Sequence, residues 1–154
     1  LNLKTNTLLL FRFVEKHGKL LHDMIKEESN GRTIFFVHGG TDADTREQIR
    51  HIVESEQNAI IVASYGVFSV GVNIRNLHNI IFASPSKSRI RNLQSIGRGL
   101  RKSENKEIAT LYDIADDLSY GSNHNYTLDH FEERKKIYKE ENFDTAEYYV
   151  QLKT

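Results

Sequence analysis

The sequence predicts an α/β protein: a parallel sheet with helices on both faces, followed by a helical extension. Three observations predict it. Five short apolar runs recur along the first 114 residues, the mark of strands buried on both faces. Helical stretches separate the early runs, so each connection is long enough to cross over a sheet. The runs end in loops carrying Gly, Ser, Asp or Pro, which punctuate the chain where strands should stop.

Leu8-Leu9-Leu10-Phe11-Arg12-Phe13 is the first apolar run. Val14 to Glu28 has a helical pattern, with Leu20, Leu21, Met24 and Ile25 on one side, and Asn30-Gly31 ends it with turn chemistry. Thr33 to Val37 is the second strand. His38-Gly39-Gly40-Thr41-Asp42 leads into a helix capped by Thr41, Asp42 or Asp44 and reaching about Glu56, with Ile49, Ile52 and Val53 inward. Ala59 to Ala63 is the third strand, and Ser64-Tyr65-Gly66 opens a loop or short helix reaching Gly71. Asn79 to Ala83 is the fourth strand, broken by Pro85, after which Ser86 or Ser88 caps a helix running into Gln94–Arg101. Glu107 to Ile114 is the fifth strand. Asp116-Asp117 reads as a helix cap, and helices are expected over Leu128 to about Glu140 and Thr145 to Leu152, capped by Thr127 and Asp144. The expected division is residues 1–118 for the sheet domain and 119–154 for the helical extension. In a parallel sheet, ligands sit beyond the carboxyl ends of the strands, so the loops His38–Asp42, Ser64–Gly71 and Pro85–Ser88 are expected on one edge.

Composition narrows the function. The chain has 154 residues, 38% hydrophobic and 27% charged, which suits one globular domain with a core. No apolar run approaches a membrane span, and Leu1–Leu10 lacks a basic leader and a small-residue cleavage site. Cysteine is absent, which removes disulfides and thiolate metal sites and fits a reducing cytoplasm. Because the chain begins at Leu1 in a strand-like run, it is expected to be a piece of a longer protein. The net charge of zero hides a strong segregation. Residues 57–103 carry seven Lys and Arg and no acid, whereas residues 104–154 carry six bases against twelve acids. The acid-free middle suits a polyanion.

Within it lies Gln94–Arg101, Q-S-I-G-R-G-L-R. Arg98 and Arg101 stand three apart and share a helix face, while Gly97 and Gly99 let a ligand approach the backbone. Paired guanidinium forks suit a phosphate; the plain alternative is a solvated basic face. His38-Gly39-Gly40, ahead of a helix N-terminus, has the features of an anion site or of an ordinary turn. Ser64-Tyr65-Gly66 offers phosphate and stacking contacts, or a turn with its aromatic ring packed in the core. Lys87, Arg89 and Arg91 add positive charge on the same edge. Arg134-Lys135-Lys136 reads as a solvated face. No G-x-x-x-x-G-K-[ST] loop, Ser-His-Asp set or metal-ligand spacing is present, so the chain on its own holds no means of hydrolysing a nucleotide; it supplies half a site.

These residues resemble the second RecA-like domain of superfamily-two helicases. Gln94–Arg101 is similar to the last motif, Q-x-x-G-R-x-x-R; Ala63–Ile81 to the fifth; Leu8–Leu21 to the fourth; and His38–Ile49 to the segment after it. The set spans about Leu8 to Arg101 in the family's order. Asn73 stands where the family usually has Asp, and Ala63-Ser64 replaces the usual Thr. The resemblance implies a RecA-like sheet and an ATP bound between two domains. In that arrangement Arg98 and Arg101 reach the γ-phosphate, Gln94 senses it, and Gly71, Asn73 and Gly97 line the cleft. Mg²⁺ ligands and the phosphate loop belong to the first RecA-like domain, absent from this sequence. The resemblance also implies that His38, Gly39, Gly40, Thr41, Ser64, Tyr65, Gly66, Lys87 and Arg89 hold one DNA strand. The wording from Tyr112 to Ser119 and the tail resembles the recombination helicases of the family, for which the implied substrate is branched or single-stranded DNA. A non-catalytic nucleic-acid-binding module and an RNA-directed motor are the alternatives.

Overall fold

The computed structural model describes residues 3–68, 74, 76–84, 109–121 and 124–151. Five strands, β1 (Thr7–Phe11), β2 (Ile34–Val37), β3 (Ile60–Ser64), β4 (Asn79–Phe82) and β5 (Thr110–Asp113), form one sheet in the order β2-β3-β1-β4-β5. Every pairing is parallel, as the sequence predicts. The first strand is therefore the central one, and all five of its residues are buried.

Alternation along β1 sorts the core into two layers. Leu8 and Leu10 join Ile61, Ala63, Ile80 and Phe82 beneath Val53 of α2 (Ala43–Ser55) and Tyr138 of α4 (Tyr126–Glu140). Leu9 and Phe11 join Ile60 and Val62 on the opposite face, where Val14, Leu21 and Ile25 cover them. The stretch Val14–Glu28 is not one regular helix. A π-helical turn, Val14–Gly18, precedes α1 (Lys19–Glu28), and both His17 and Gly18 donate to the Phe13 carbonyl. Gly18 is needed there: a Cβ would overlap the Phe11 ring. The turn aims Leu21 and Ile25 inward, while Leu20 and Met24 face solvent. On α2, Val53 is buried and Ile49 packs on the core, but Ile52 is exposed.

The amino-end edge of the sheet is tied by buried polar groups. The Asn6 amide donates to the carbonyls of Val53 (2.9 Å), Glu56 (2.6 Å) and Asn76 (3.0 Å), and its oxygen accepts the Ala59 N–H (2.8 Å). Arg32 donates to the carbonyls of Leu3, Thr5 and Asn58.

Three expectations for the carboxyl-terminal third are corrected. Arg134 is not on a solvated face: it is buried and forks onto Asp113 of β5, Nε to Oδ2 at 2.7 Å and Nη2 to Oδ1 at 2.9 Å. The Tyr138 hydroxyl donates to the same carboxylate at 2.6 Å, so α4 is pinned to the sheet. The cap of α4 is Asn125 rather than Thr127, whose hydroxyl donates to the Asp116 carbonyl; Asp117 accepts from Ser119 and Asn125 instead of capping a helix. Residues 145–151 form no helix. So short a segment is marginal as a helix without a buried face, and Tyr148, Tyr149 and Val150 are all exposed. Glu147 is held instead by Lys135 and the Tyr149 hydroxyl. The helix expected after Pro85 lies outside the described residues.

Candidate functional site

The register aligns Val37, Ala63, Leu10, Phe82 and Asp113 across the five strands. The segments that follow them leave the sheet along one edge: His38–Thr41 after β2, Arg12-Phe13 after β1, α3 (Tyr65–Phe68) after β3 and Ala83-Ser84 after β4. Two bonds join neighbouring segments, from the Ala83 N–H to the Leu10 carbonyl and from the Arg12 N–H to Ser84 Oγ, both 3.0 Å.

The His38–Thr41 loop is closed on itself. Thr41 N–H donates to the His38 carbonyl at 2.9 Å, His38 N–H donates to Thr41 Oγ1 at 3.1 Å, and Gly40 N–H donates to His38 Nδ1 at 3.1 Å. The helix that follows is capped from within the chain. Asp42 caps α2, its carboxylate accepting the Thr45 N–H (2.8 Å) and hydroxyl (2.7 Å). Those hydrogen bonds, the hydroxyl's first, hold the Asp42 carboxyl below its ordinary pKa. Of the three caps the sequence offers, Asp42 is therefore the one used, and its charge suits the positive end of α2.

Tyr65 is also corrected. Its residue is 2% exposed and its ring lies 5.7 Å from Phe82, so it has no face to stack on a base. Ser64 is buried with it, whereas Gly66 is exposed, with nothing within 4 Å of where a Cβ would stand.

Arg12 and Phe13 were not singled out from sequence. Both are exposed, with the guanidinium 4.8 Å from the Phe13 ring centre. The signal was a charge inside an apolar run, which is where a strand stops rather than continues. Together they offer a cation and an aromatic face at the end of the central strand, a pairing suited to a nucleic-acid backbone and base. Below them, Phe11 stacks on Phe36 at 5.6 Å, and Phe36 meets both His38 (5.4 Å) and His22 (5.1 Å).

Gly71, Asn73, Lys87, Arg89, Gln94, Gly97, Arg98 and Arg101 lie outside the described residues. Among the described residues, no group of three or more His, Asp or Glu side chains is arranged to hold a metal ion, and no helix is long and apolar enough to cross a membrane.

Residues 2–103 match the family model described as the helicase conserved C-terminal domain. The ATP-dependent DNA helicase uvsW of Enterobacteria phage T4 is 38% identical over 149 residues, covering 90% of this chain and 29% of that protein. The putative ATP-dependent helicase IRC3 of Saccharomyces cerevisiae is 29% identical over 113 residues, covering 73% of this chain and 16% of that protein. Among solved structures, the crystal structure of T4 UvsW matches 90% of this chain and 30% of its own, with a TM-score of 0.69 and 38% identity. The C-terminal part of the Fun30 ATPase domain matches 88% of this chain and 48% of its own, with a TM-score of 0.59 and 16% identity, a likeness of fold. The chain thus spans less than a third of the length of these curated relatives.

Proposed function

The chain belongs to the helicase conserved C-terminal domain family, and from that premise we propose that it is the carboxyl-terminal motor half of an ATP-dependent DNA helicase working in the cytoplasm. Its RecA-like sheet spans residues 1–118 and its extension 119–154. ATP is the substrate, bound between this half and a preceding RecA-like domain that also holds Mg²⁺. Arg98 and Arg101 stabilise charge on the transferred phosphoryl group, Gln94 senses it, and Gly71, Asn73 and Gly97 line the cleft. On its own the chain turns over no ATP. The loops at His38–Thr41 and Ser64–Gly66, with Lys87 and Arg89, grip the backbone of branched or single-stranded DNA, and Arg12-Phe13 joins them. Opening and closing the cleft then moves that grip along the strand, in recombination, repair or replication.

The observation that carries this reading is the parallel register, which sets the loops after β1, β2 and β3 on one edge in a chain of this family. The test uses the full-length protein. Arg101→Ala should lower DNA-stimulated ATP turnover about a hundredfold or more while nearly keeping branched-DNA affinity. Affinity that falls while turnover at saturating DNA holds would move Arg101 onto the DNA and leave a nucleic-acid-binding role in place of the arginine finger.

A further inference from the structure

Just ahead of β1 the chain bends at Thr5, with a φ of 97°. A β-branched residue rarely adopts that angle, because its Cβ then crowds the neighbouring carbonyls. Such a bend costs free energy and persists only where its surroundings over-determine it. Here they do. The Thr5 carbonyl accepts from Arg32 Nη2 at 2.8 Å and from the Thr7 hydroxyl at 3.1 Å, and the Thr5 hydroxyl accepts from the Asn79 amide at 3.0 Å. Arg32 also donates from Nη1 to the Leu3 carbonyl at 2.6 Å and from Nε to the Asn58 carbonyl at 3.1 Å. Among the described residues, every hydrogen bond of this side chain goes to the main chain. One half-buried guanidinium thus staples the segment ahead of β1 to the segments ahead of β2 and β3.

This clamp lies at the amino ends of the strands, across the sheet from the loops that leave the carboxyl edge. In the reading given above, the chain from the preceding RecA-like domain reaches β1 through Leu3–Asn6. We infer that Arg32 and the Thr5 bend anchor the joint between the two motor halves, and that Arg32 is a positioning residue for ATP turnover. The inference rests on that reading. A hinge absorbs motion through a few backbone angles that turn freely. Leu3 to Thr5 do not turn freely, since a change of angle there breaks a bond to Arg32, Thr7 or Asn79. Closure therefore turns on the chain ahead of Leu3, about a fixed direction of approach. The preceding domain then meets Arg98 and Arg101 in one orientation. Orientation matters at a reacting centre, where a displacement of about 1 Å slows a reaction about a hundredfold. The anchoring groups act through the joint and touch neither ATP nor DNA.

The experiment uses the full-length protein. It measures DNA-stimulated ATP turnover, and energy transfer between a dye on α4 and one on the preceding domain, with single-stranded DNA and a non-hydrolysable ATP analogue bound. Thr5→Gly frees the bend and removes its strain. The melting temperature should stay close to the parent's, while kcat falls about fivefold or more and the dye separations spread. Arg32→Met should lower kcat and spread the separations in the same way. Arg32→Lys, which can hold one carbonyl but cannot fork, should recover part of the loss. Asn76→Ala removes a 2.9 Å bond to the Glu56 carbonyl at the same edge without touching Leu3–Thr5, and should leave kcat within about twofold of the parent. Either Thr5→Gly or Arg32→Met keeping its turnover within that range overturns the anchor. So does lost turnover with unchanged dye separations, or an equal loss in Asn76→Ala. Arg101→Ala separates this failure from failure of the motor reading. If it abolishes turnover while the Thr5 and Arg32 variants keep theirs, the anchor alone fails; if it too leaves turnover unchanged, the reading of this chain as a motor half fails as well.

Discussion

The pairing of Arg134 with Asp113 joins the helical extension to the sheet, and its strength follows from its surroundings. The side chains are 2% and 8% exposed, so neither charge is solvated. Asp113 receives two bonds from Arg134 and one from Tyr138. Tyr138 stays a donor, because burial first, and then the Asp113 charge and hydrogen bond, push its hydroxyl far above its ordinary pKa. In Arg134→Met the hydrocarbon volume is largely kept, but the buried carboxylate is left with one donor. An uncompensated buried charge costs about 3–5 kcal/mol, roughly a fifth or more of the roughly 5–15 kcal/mol that holds a typical domain together. Urea unfolding followed by circular dichroism should show that loss as a lower midpoint at constant slope, and the melting temperature should fall by about 6–20 °C. Replacing both partners, Arg134→Met with Asp113→Leu, should recover most of the stability, since no charge is then stranded. A single variant that loses under about 1 kcal/mol would place the pair in the class of exposed ion pairs and refute the reasoning. So would a double variant no better than either single one.

Two further outcomes follow from the amino-end clasp and from the cap of α2. Asn6→Ala orphans the buried Ala59 N–H and takes one donor from the Val53, Glu56 and Asn76 carbonyls, of which Glu56 keeps the Asn76 side-chain amide at 2.9 Å, and should cost about 2 kcal/mol in the same unfolding measurement; a loss under about 1 kcal/mol would mean that water replaces the side chain. The Asp42 carboxyl has a lowered pKa in the folded protein, so its stabilising contribution is full above the ordinary carboxylate range near pH 4 and is lost as pH falls through the lower folded value. Carbon-13 titration of Asp42 should show that low value rising toward ordinary in Thr45→Ala, and no change would remove Thr45 as its cause.

Strands are the most legible part of this sequence because burial on both faces demands unbroken apolar runs, and Thr7–Phe11 and Ile60–Ser64 have them. Ends of elements are less legible. The run through Phe13 looks continuous, yet β1 stops at Phe11 and a π-helical turn begins at Val14, set by how closely Gly18 must approach the Phe11 ring. Arg134 could not be placed from its neighbours Lys135 and Lys136, since its partner lies 21 residues away on β5. Tyr65 reads equally well as a stacking residue or a core residue, and only its contact with Phe82, brought alongside by the sheet, decides between them. At the site, the edge and its loops follow from topology. The capping of α2 by Asp42 was one of three options in sequence, and the Thr45 N–H on its carboxylate decides among them.

The central position of β1 also bears on how the protein is made. Leu8 pairs with Ile61 on one side and Ile80 on the other, so the first strand finds its second neighbour only about 70 residues later. At about 5–20 residues per second of synthesis, that is several seconds during which Thr7-Leu8-Leu9-Leu10-Phe11 has emerged without its sheet. An apolar strand in that condition is a site for mispairing with other chains. Slowing or truncating synthesis between β3 and β4 should therefore raise aggregation, and a ribosome-associated chaperone has its clearest target in those five residues.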